Sequence, residues 1–380
     1  MDVAELRHNF YVPAFSIEVE GPRGKKELLD EGVEIFSVTV NNTLKGADDF
    51  SFTINNPKDV DTSKFLSTEF RHLKDQLFKV GSKVTIRMGY GDRSRLKSVI
   101  SGIITAIDFT FPANGISQMT IKGYDRSHKM MKGRHSDSWG SDKNPVTYSD
   151  VVKQIAEKKQ YQFGTSHIEE TQEKHRQVKQ DRQSDFDFIQ KKLAEEISFE
   201  VFIRDNDLYF RPRQNDSPDF VAELTWGQTL ISFSPKINTA KQVSEVNVRG
   251  WNPATQKPII GKAKRGSERG RDQKGRSGGE AVAATQGEVV KNIWRPVSTQ
   301  KEADDIAKST LEKISLDYIT GSGESLGLPN IVPGKNIKLK GLGMTFSKIY
   351  YVEKVSHSIS TSGYKTTFDI TENTVNERTI

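Results

Sequence analysis

From Phe36 the chain alternates apolar and polar positions, with Phe36, Val38 and Val40 in one phase and Ser37, Thr39 and Asn41 in the other. Phe50, Phe52 and Ile54 repeat the pattern after a turn-rich connector at 41–46. A period of two in β-branched and aromatic residues marks half-buried strands, because successive side chains of an extended chain face opposite ways. Further runs lie at 83–88, 99–109 and 116–122, bounded by Gly89-Tyr90-Gly91-Asp92 and Pro112-Ala113-Asn114-Gly115. Asn-Gly between alternating runs is a hairpin signal, since both residues tolerate positive φ. Five or more closely spaced strands predict an antiparallel barrel or sandwich. Segment 65–78 reads as a short helix or a loop over the barrel mouth.

The period changes after the linker-like stretch 137–145. Val151, Val152, Ile155 and Ala156 share one helical face, and Thr147 with Asp150 has capping-box spacing. Ser184 and Asp187 start a second helix, with Phe186, Ile189 and Leu193 on its apolar stripe. Runs 199–204 and 208–211 then flank Asp205-Asn206-Asp207, a hairpin turn. Two helices plus a β-hairpin make an α/β unit over 141–212, with the polar stretch 169–181 expected as a solvated loop.

Strands resume at Phe233 and 243–250, and the front pattern then recurs. Val80-Gly81-Ser82-Lys83-Val84-Thr85-Ile86 resembles Pro333-Gly334-Lys335-Asn336-Ile337-Lys338-Leu339. Each continues into a Gly-x-Gly (Gly89 to Gly91, Gly341 to Gly343), a long apolar strand and a Gly turn into an alternating strand. Two unrelated meanders would share much of this; the alternative is internal duplication of one barrel. The expected organisation is therefore a first barrel at 1–135, the α/β unit, a second barrel at 213–260 and 325–380, and an insertion at 261–324. That insertion holds a basic, Gly- and Ser-rich segment at 261–280, expected as a mobile loop. A helix follows, started by Thr299 and Glu302 and facing inward through Ala303, Ile306, Ala307, Leu311 and Ile314.

Composition narrows the chemistry. The 380 residues contain no cysteine, which excludes disulfides, Cys-ligated zinc and a Cys nucleophile. No signal-peptide pattern and no membrane-spanning apolar stretch is read. The net charge of +6 is modest for this length and does not announce a nucleic-acid binder. The seven His (8, 72, 128, 135, 167, 175, 357) never take a tight ligand spacing. Gly334-Lys335 lacks the rest of a phosphate loop, and the glycine-rich 321–327 misses dinucleotide spacing and reads as a loop. Gly275-Arg276-Ser277-Gly278-Gly279 matches Gly-x-Ser-x-Gly, but a nucleophile elbow needs a strand feeding a helix, and a loop is expected here. Asp185, Asp187, Asp304 and Asp305 sit at helix starts, where carboxylates stabilise free N–H groups. No catalytic residue, cofactor or metal is expected. The remaining ligand feature is polyanion contact through Lys262, Lys264, Arg265, Arg269, Arg271, Lys274 and Arg276, without an interleaved aromatic for base stacking.

Several segments together resemble the phage late control gene D proteins and the VgrG-like hubs of contractile tails and type VI secretion. They are Asp181 to Ile189 with Leu193-Ala194-Glu195-Glu196, the run Val246-Asn247-Val248-Arg249-Gly250-Trp251-Asn252-Pro253, the stretch Gly327 to Gly334 with Gly341-Leu342-Gly343, Tyr350-Tyr351-Val352 and Ser356-His357, and Leu44 to Phe50. The resemblance implies an α+β, mainly β fold in which two tail-tube-like antiparallel barrels are joined by a small α/β domain. It implies a non-enzymatic baseplate hub, a homotrimer whose six barrels match a six-fold tube while the ring stays three-fold for the spike. It implies a separate spike protein as partner, because no OB-fold or β-helix follows before Ile380. Further implied partners are a tail-tube or tube-initiator protein and other baseplate proteins, with assembly in the bacterial cytoplasm and residence in a virion or phage-tail-like particle. Neither nucleic acid nor membrane insertion is expected of this chain. The alternatives are a nucleic-acid-binding module acting through 262–276, a baseplate-carried cell-wall hydrolase, and a tube or connector protein elsewhere in the tail.

Overall fold

The computed structural model describes residues 12–21, 24–60, 68–74, 77–252, 256–272, 275–297 and 299–376. The front third contains β1 (Pro13–Gly21), β2 (Gly24–Glu27), β3 (Ile35–Thr43), β4 (Asp49–Asn55), β5 (Lys58–Val60), β6 (Thr68–Phe70), β7 (Lys83–Tyr90), β8 (Lys97–Thr110) and β9 (Gln118–Asp125). The middle contains β10 (Ser138–Trp139), β11 (Gly164–Ile168), β12 (Val178–Lys179), β13 (Phe199–Arg204) and β14 (Asp207–Pro212). Then come β15 (Ala222–Thr225), β16 (Leu230–Ile237), β17 (Glu245–Asn252), β18 (Lys257–Lys264), β19 (Gly275–Ser277) and β20 (Val290–Trp294). The chain closes with β21 (Ile319–Leu326), β22 (Asn336–Lys340), β23 (Ile349–Ser360), β24 (Gly363–Glu372) and β25 (Thr374–Asn376).

The fold is mainly β, and most pairings are antiparallel. Along β4 burial alternates strictly, placing Phe50, Phe52 and Ile54 in the core. Strand β1 alternates less regularly and was missed by the sequence pattern; it pairs with β7 along eight residue pairs. Of segment 65–78, the described part holds β6 and a helical turn Arg71–Lys74, while 65–67 and 75–76 lie outside the described residues.

The two similar meanders have the same strand order. β7 pairs with β8 and β8 with β9; β22 pairs with β23 and β23 with β24, all antiparallel. Each is entered through a glycine at positive φ, Gly81 at 94° and Gly334 at 78°, a conformation that costs other residues. Strand β23 also pairs antiparallel with β3. The described pairings therefore run through one 13-stranded sheet, in the order β16-β21-β24-β23-β3-β4-β9-β8-β7-β1-β2 with β22 and β15 branching from β23.

Among the described residues the four largest of six apolar clusters organise the fold. The first lies under β1, β3, β4 and β7–β9 and takes in Ile359 and Tyr364 from the back meander. The second fills the α/β unit, the third lies under β22–β24, and the fourth joins β17 and β18 to the helix Gln300–Ser315. Burial of this kind is worth about 25 cal/mol per Å² of apolar surface.

Several expectations need correction. Strands β17 and β18, expected in the second barrel, instead form a three-stranded sheet with β20. Gly261 lies against Ala303, where a Cβ would approach the helix backbone to 2.2 Å, so this glycine serves close strand–helix packing. Conversely 321–327, read as a loop across the end of the insertion, lies largely in β21, between β16 and β24 of the main sheet. Its glycines misled the pattern: a Cβ on Gly323 would come within 2.4 Å of the Phe368 ring. Segment 169–181 is tied down by β12 against β10 and by a bridge from His175 to Val146, and β11 adds a strand parallel to β14. The described residues of the basic segment 261–280, expected as a loop throughout, include the end of β18, β19 and the start of a second inserted helix, Gly278–Gln286.

The caps behaved as their spacing required. Thr147 and Asp150 form a capping box, and Thr299 Oγ1 accepts from the Glu302 N–H at 3.0 Å. Ser184 likewise caps the second helix, but that helix passes from one α turn at Asp185–Asp187 into a π-helical stretch, Phe188–Ala194.

Candidate functional site

The hairpin β13–β14 carries the side chains that join the α/β unit to the back meander. Its two-residue turn sets Glu200 opposite Arg211. Their ion pair, at 2.9 Å, has both side chains more than nine-tenths buried. Arg211 also donates to the Gly334 carbonyl at 2.9 Å, and the Tyr351 hydroxyl donates to Glu200. Burial pushes the Glu200 carboxyl up, against the opposing pull of Arg211 and of the Tyr351 hydroxyl. Just outside, Arg213 bonds Glu353 through two nitrogens at 3.1 Å, and Lys45 reaches the other oxygen at 2.7 Å. Burial disfavours charge on Glu353, but Arg213 and Lys45 outweigh it and hold the carboxyl below its usual range. Lys45 comes from the connector between β3 and β4, Arg213 from the chain just after β14 and Glu353 from β23, so this cluster locks three parts of the chain together.

A cavity of about 510 Å³ opens beside that junction, lined among others by Asn42, Asp48, Asp125, Arg204 and Pro333. Asp48 accepts from the Asn42 amide and from the Thr43 N–H, both at 2.7 Å. The Asp125 N–H donates to the Asp48 carbonyl at 2.9 Å, and the Asp125 carboxylate accepts from Ser127 at 2.5 Å. Burial raises Asp48 to about 6, and burial with the neighbouring Asp48 charge raises Asp125 to about 8. Arg204 donates to the Pro333 carbonyl at 3.2 Å and stacks over Phe202 at 5.3 Å. Its positive charge opposes part of the rise at Asp48.

The basic residues singled out by sequence are dispersed. Lys262 and Lys264 stand exposed on β18, with Lys264 3.6 Å from Glu245. Arg265 pairs with Glu288, Arg269 with Asp216 at 2.9 Å and Arg271 with Glu280 at 2.7 Å. Arg276 donates to the Glu280 carbonyl at 3.4 Å, and Lys274 lies outside the described residues.

The Gly-x-Ser-x-Gly context also differs from expectation: β19 does feed a helix. Ser277, however, is fully buried and accepts from the Glu280 N–H, while the Glu280 carboxylate accepts from the Ser277 N–H. This hydroxyl acts as a helix cap, with extended, unstrained backbone. Among the described residues no group of three or more His, Asp or Glu is placed to hold a metal ion. No helix there is long and apolar enough to cross a membrane.

Sequence reasoning missed the carboxyl pair and the Glu200–Arg211 junction. The second was signalled by the hairpin, whose two-residue turn puts those positions opposite each other. The first carried no local signal, since 48 and 125 meet only through pairing of β4 with β9. Exposed aromatics were missed as well: Trp294 is 75% exposed and Trp251 55%.

The whole fold is similar to that of phage tail proteins. The 43 kDa tail protein of prophage MuSo2 from Shewanella oneidensis matches with TM-score 0.68 at 9% identity, over 94% of this chain and 98% of that one. The tail protein from Neisseria meningitidis MC58 matches with TM-score 0.66 at 13% identity, over 94% and 97%. The E. coli c3393 protein, described as a type VI secretion component with structural similarity to T4 tail proteins gp27 and gp5, matches with TM-score 0.55 at 12% identity, over 89% and 73%. At identities this low, these matches show a shared fold alone. No curated protein matches the sequence. A family model described as the Alg8 N-terminal domain matches residues 13–361, nearly the whole chain, and the chain belongs to that family.

Proposed function

We propose that this protein is a structural hub of a contractile phage tail or related injection machine, of the late control gene D kind. The observation that carries the reading is the end-to-end match to a tail protein, 94% of this chain against 98% of that one. The chain's own architecture supports it. Two meanders of the same strand order, β7–β8–β9 and β22–β23–β24, lie in one sheet joined through β3 and β23. A chain holding two tube-like barrels, 1–135 and a second built largely from 325–380, offers six similar faces when three copies close a ring. Such a ring meets a six-fold tube on one side and a three-fold spike on the other without a strained interface. The buried junction at Glu200, Arg211 and Tyr351 suits this role, because an adaptor must hold its parts at fixed angles. The partners are two further copies, a separate spike protein and the first ring of the tube, and the work is interfacial rather than chemical.

Light scattering tests this on the full chain. Three copies of the 42.8 kDa chain give about 128 kDa. A stable monomer at high concentration, with or without spike, refutes it. Cross-linking to spike rather than sheath separates a hub from a tube or connector protein.

A further inference from the structure

The sheet β18–β17–β20 has one face packed on a helix; on the other, Asn247 is buried between Lys262 and Asn292, and the end near Trp251 and Trp294 is exposed. Val246, Val248 and Ala263 pack with the helix Gln300–Ser315. On the opposite face the pairing aligns Arg249 with Ile260 on one side and Trp294 on the other, and Trp251 with Pro258. Trp294 is 75% exposed, Trp251 55%, Val290 42% and Ile260 38%. From ordinary strand spacing and rise, three strands of up to eight residues present a face of roughly 14 by 26 Å. That is about 360 Å², under half of the roughly 800 Å² per partner that a standard interface buries, so the face supplies the centre of a larger contact.

We propose that this face, centred on Trp251, Trp294 and Ile260, is buried by a second copy of this chain. The proposal rests on the hub reading and names the surface it uses. A cyclic ring needs heterologous contacts, so each copy must offer a patch that meets a different surface of its neighbour. The composition fits a protein partner: Trp and Arg are enriched at interface centres, and aliphatic side chains share the face. Arg249 stacks over Trp294 at 5.4 Å, and its buried Nε has no hydrogen-bond acceptor within this chain's described residues. A neighbouring carboxylate or carbonyl would satisfy it, so the incoming surface is apolar with an acceptor at its centre. Base stacking is the poorer fit. One side of the Trp294 ring is already taken by Arg249, and Lys264 lies beside Glu245.

The test is Trp251→Lys with Trp294→Lys in the full chain. Both side chains are largely exposed, so far-UV circular dichroism should match wild type. Light scattering should show a wild-type trimer and a variant whose association weakens at least 100-fold, giving monomer at micromolar concentration. Acrylamide should quench tryptophan emission more strongly in diluted, dissociated wild type than in the trimer. A variant that stays trimeric overturns this surface and leaves the hub reading standing, whereas a monomeric wild type ends both. Salt-sensitive quenching of wild-type emission by oligo(dT), lost in the variant without any change of mass, would assign the face to nucleic acid and overturn the proposal.

Discussion

Replacing Asp125 by Asn should make the protein more stable in alkaline solution, with a smaller gain in mild acid. In the folded chain Asp125 binds its proton with a pKa of about 8, against an ordinary 3.8, through burial and the nearby Asp48 charge. A folded pKa above the unfolded one stabilises the fold below pH 3.8, and that contribution fades as pH rises through 8. At roughly 1.4 kcal/mol per pH unit the ceiling is about 6 kcal/mol. Part of that is shared with Asp48, itself raised to about 6, and cannot be counted twice. A gain of about 2–4 kcal/mol at pH 9 is therefore expected for Asp125→Asn. The Asn side chain keeps an oxygen for Ser127, which now donates to the carboxylate at 2.5 Å. Urea unfolding followed by circular dichroism at pH 5, 7 and 9 measures the effect. Wild type should lose stability across that range while the variant loses much less. A wild-type-to-variant difference that is the same at all three pH values would refute the reasoning, because a pH-independent change reports packing and not a proton.

Three further outcomes are expected. Glu200→Gln should cost about 3–5 kcal/mol by leaving Arg211 buried without its counter-charge, while Glu200→Met with Arg211→Met should recover much of it; thermal unfolding of the three chains checks this. His357 is fully buried, and burial lowers it to about 4 from 6.5. Its Nε2 faces the Ile331 carbonyl, which only accepts, so Nε2 carries the hydrogen and Nδ1 accepts from Thr366 or Tyr364. The unfolded chain then binds this proton first, so stability falls from pH 6.5 toward 4, by at most about 3 kcal/mol; His357→Gln should flatten that slope in denaturant titrations. Gly334→Ala should destabilise by about 1 kcal/mol or more, since φ is positive and the new Cβ would meet Arg211 at 3.0 Å; an unchanged melting temperature would contradict it.

The sequence alone determined the elements whose cause is local. Alternation placed β3, β4, β7 and β8, and side-chain caps placed the helices starting after Thr147, Ser184 and Thr299, because a period of two and a hydroxyl three residues from a carboxylate act within one turn or strand. The same locality produced the errors. Gly261, Gly321 and Gly323 looked like loop residues because the aromatic ring or helix backbone that requires them lies 42 or more positions away in the chain. Tertiary structure alone decided that β23 pairs with β3, that β17 and β18 leave the main sheet, and that Asp48 and Asp125 share one environment. Those outcomes depend on which apolar faces meet, and a face's partner is not encoded in the spacing of its own residues. The basic segment shows the difference most plainly: its charge was visible in the chain, but only the fold brought Glu288 to Arg265 and Asp216 to Arg269 and left two exposed tryptophans on the adjoining sheet.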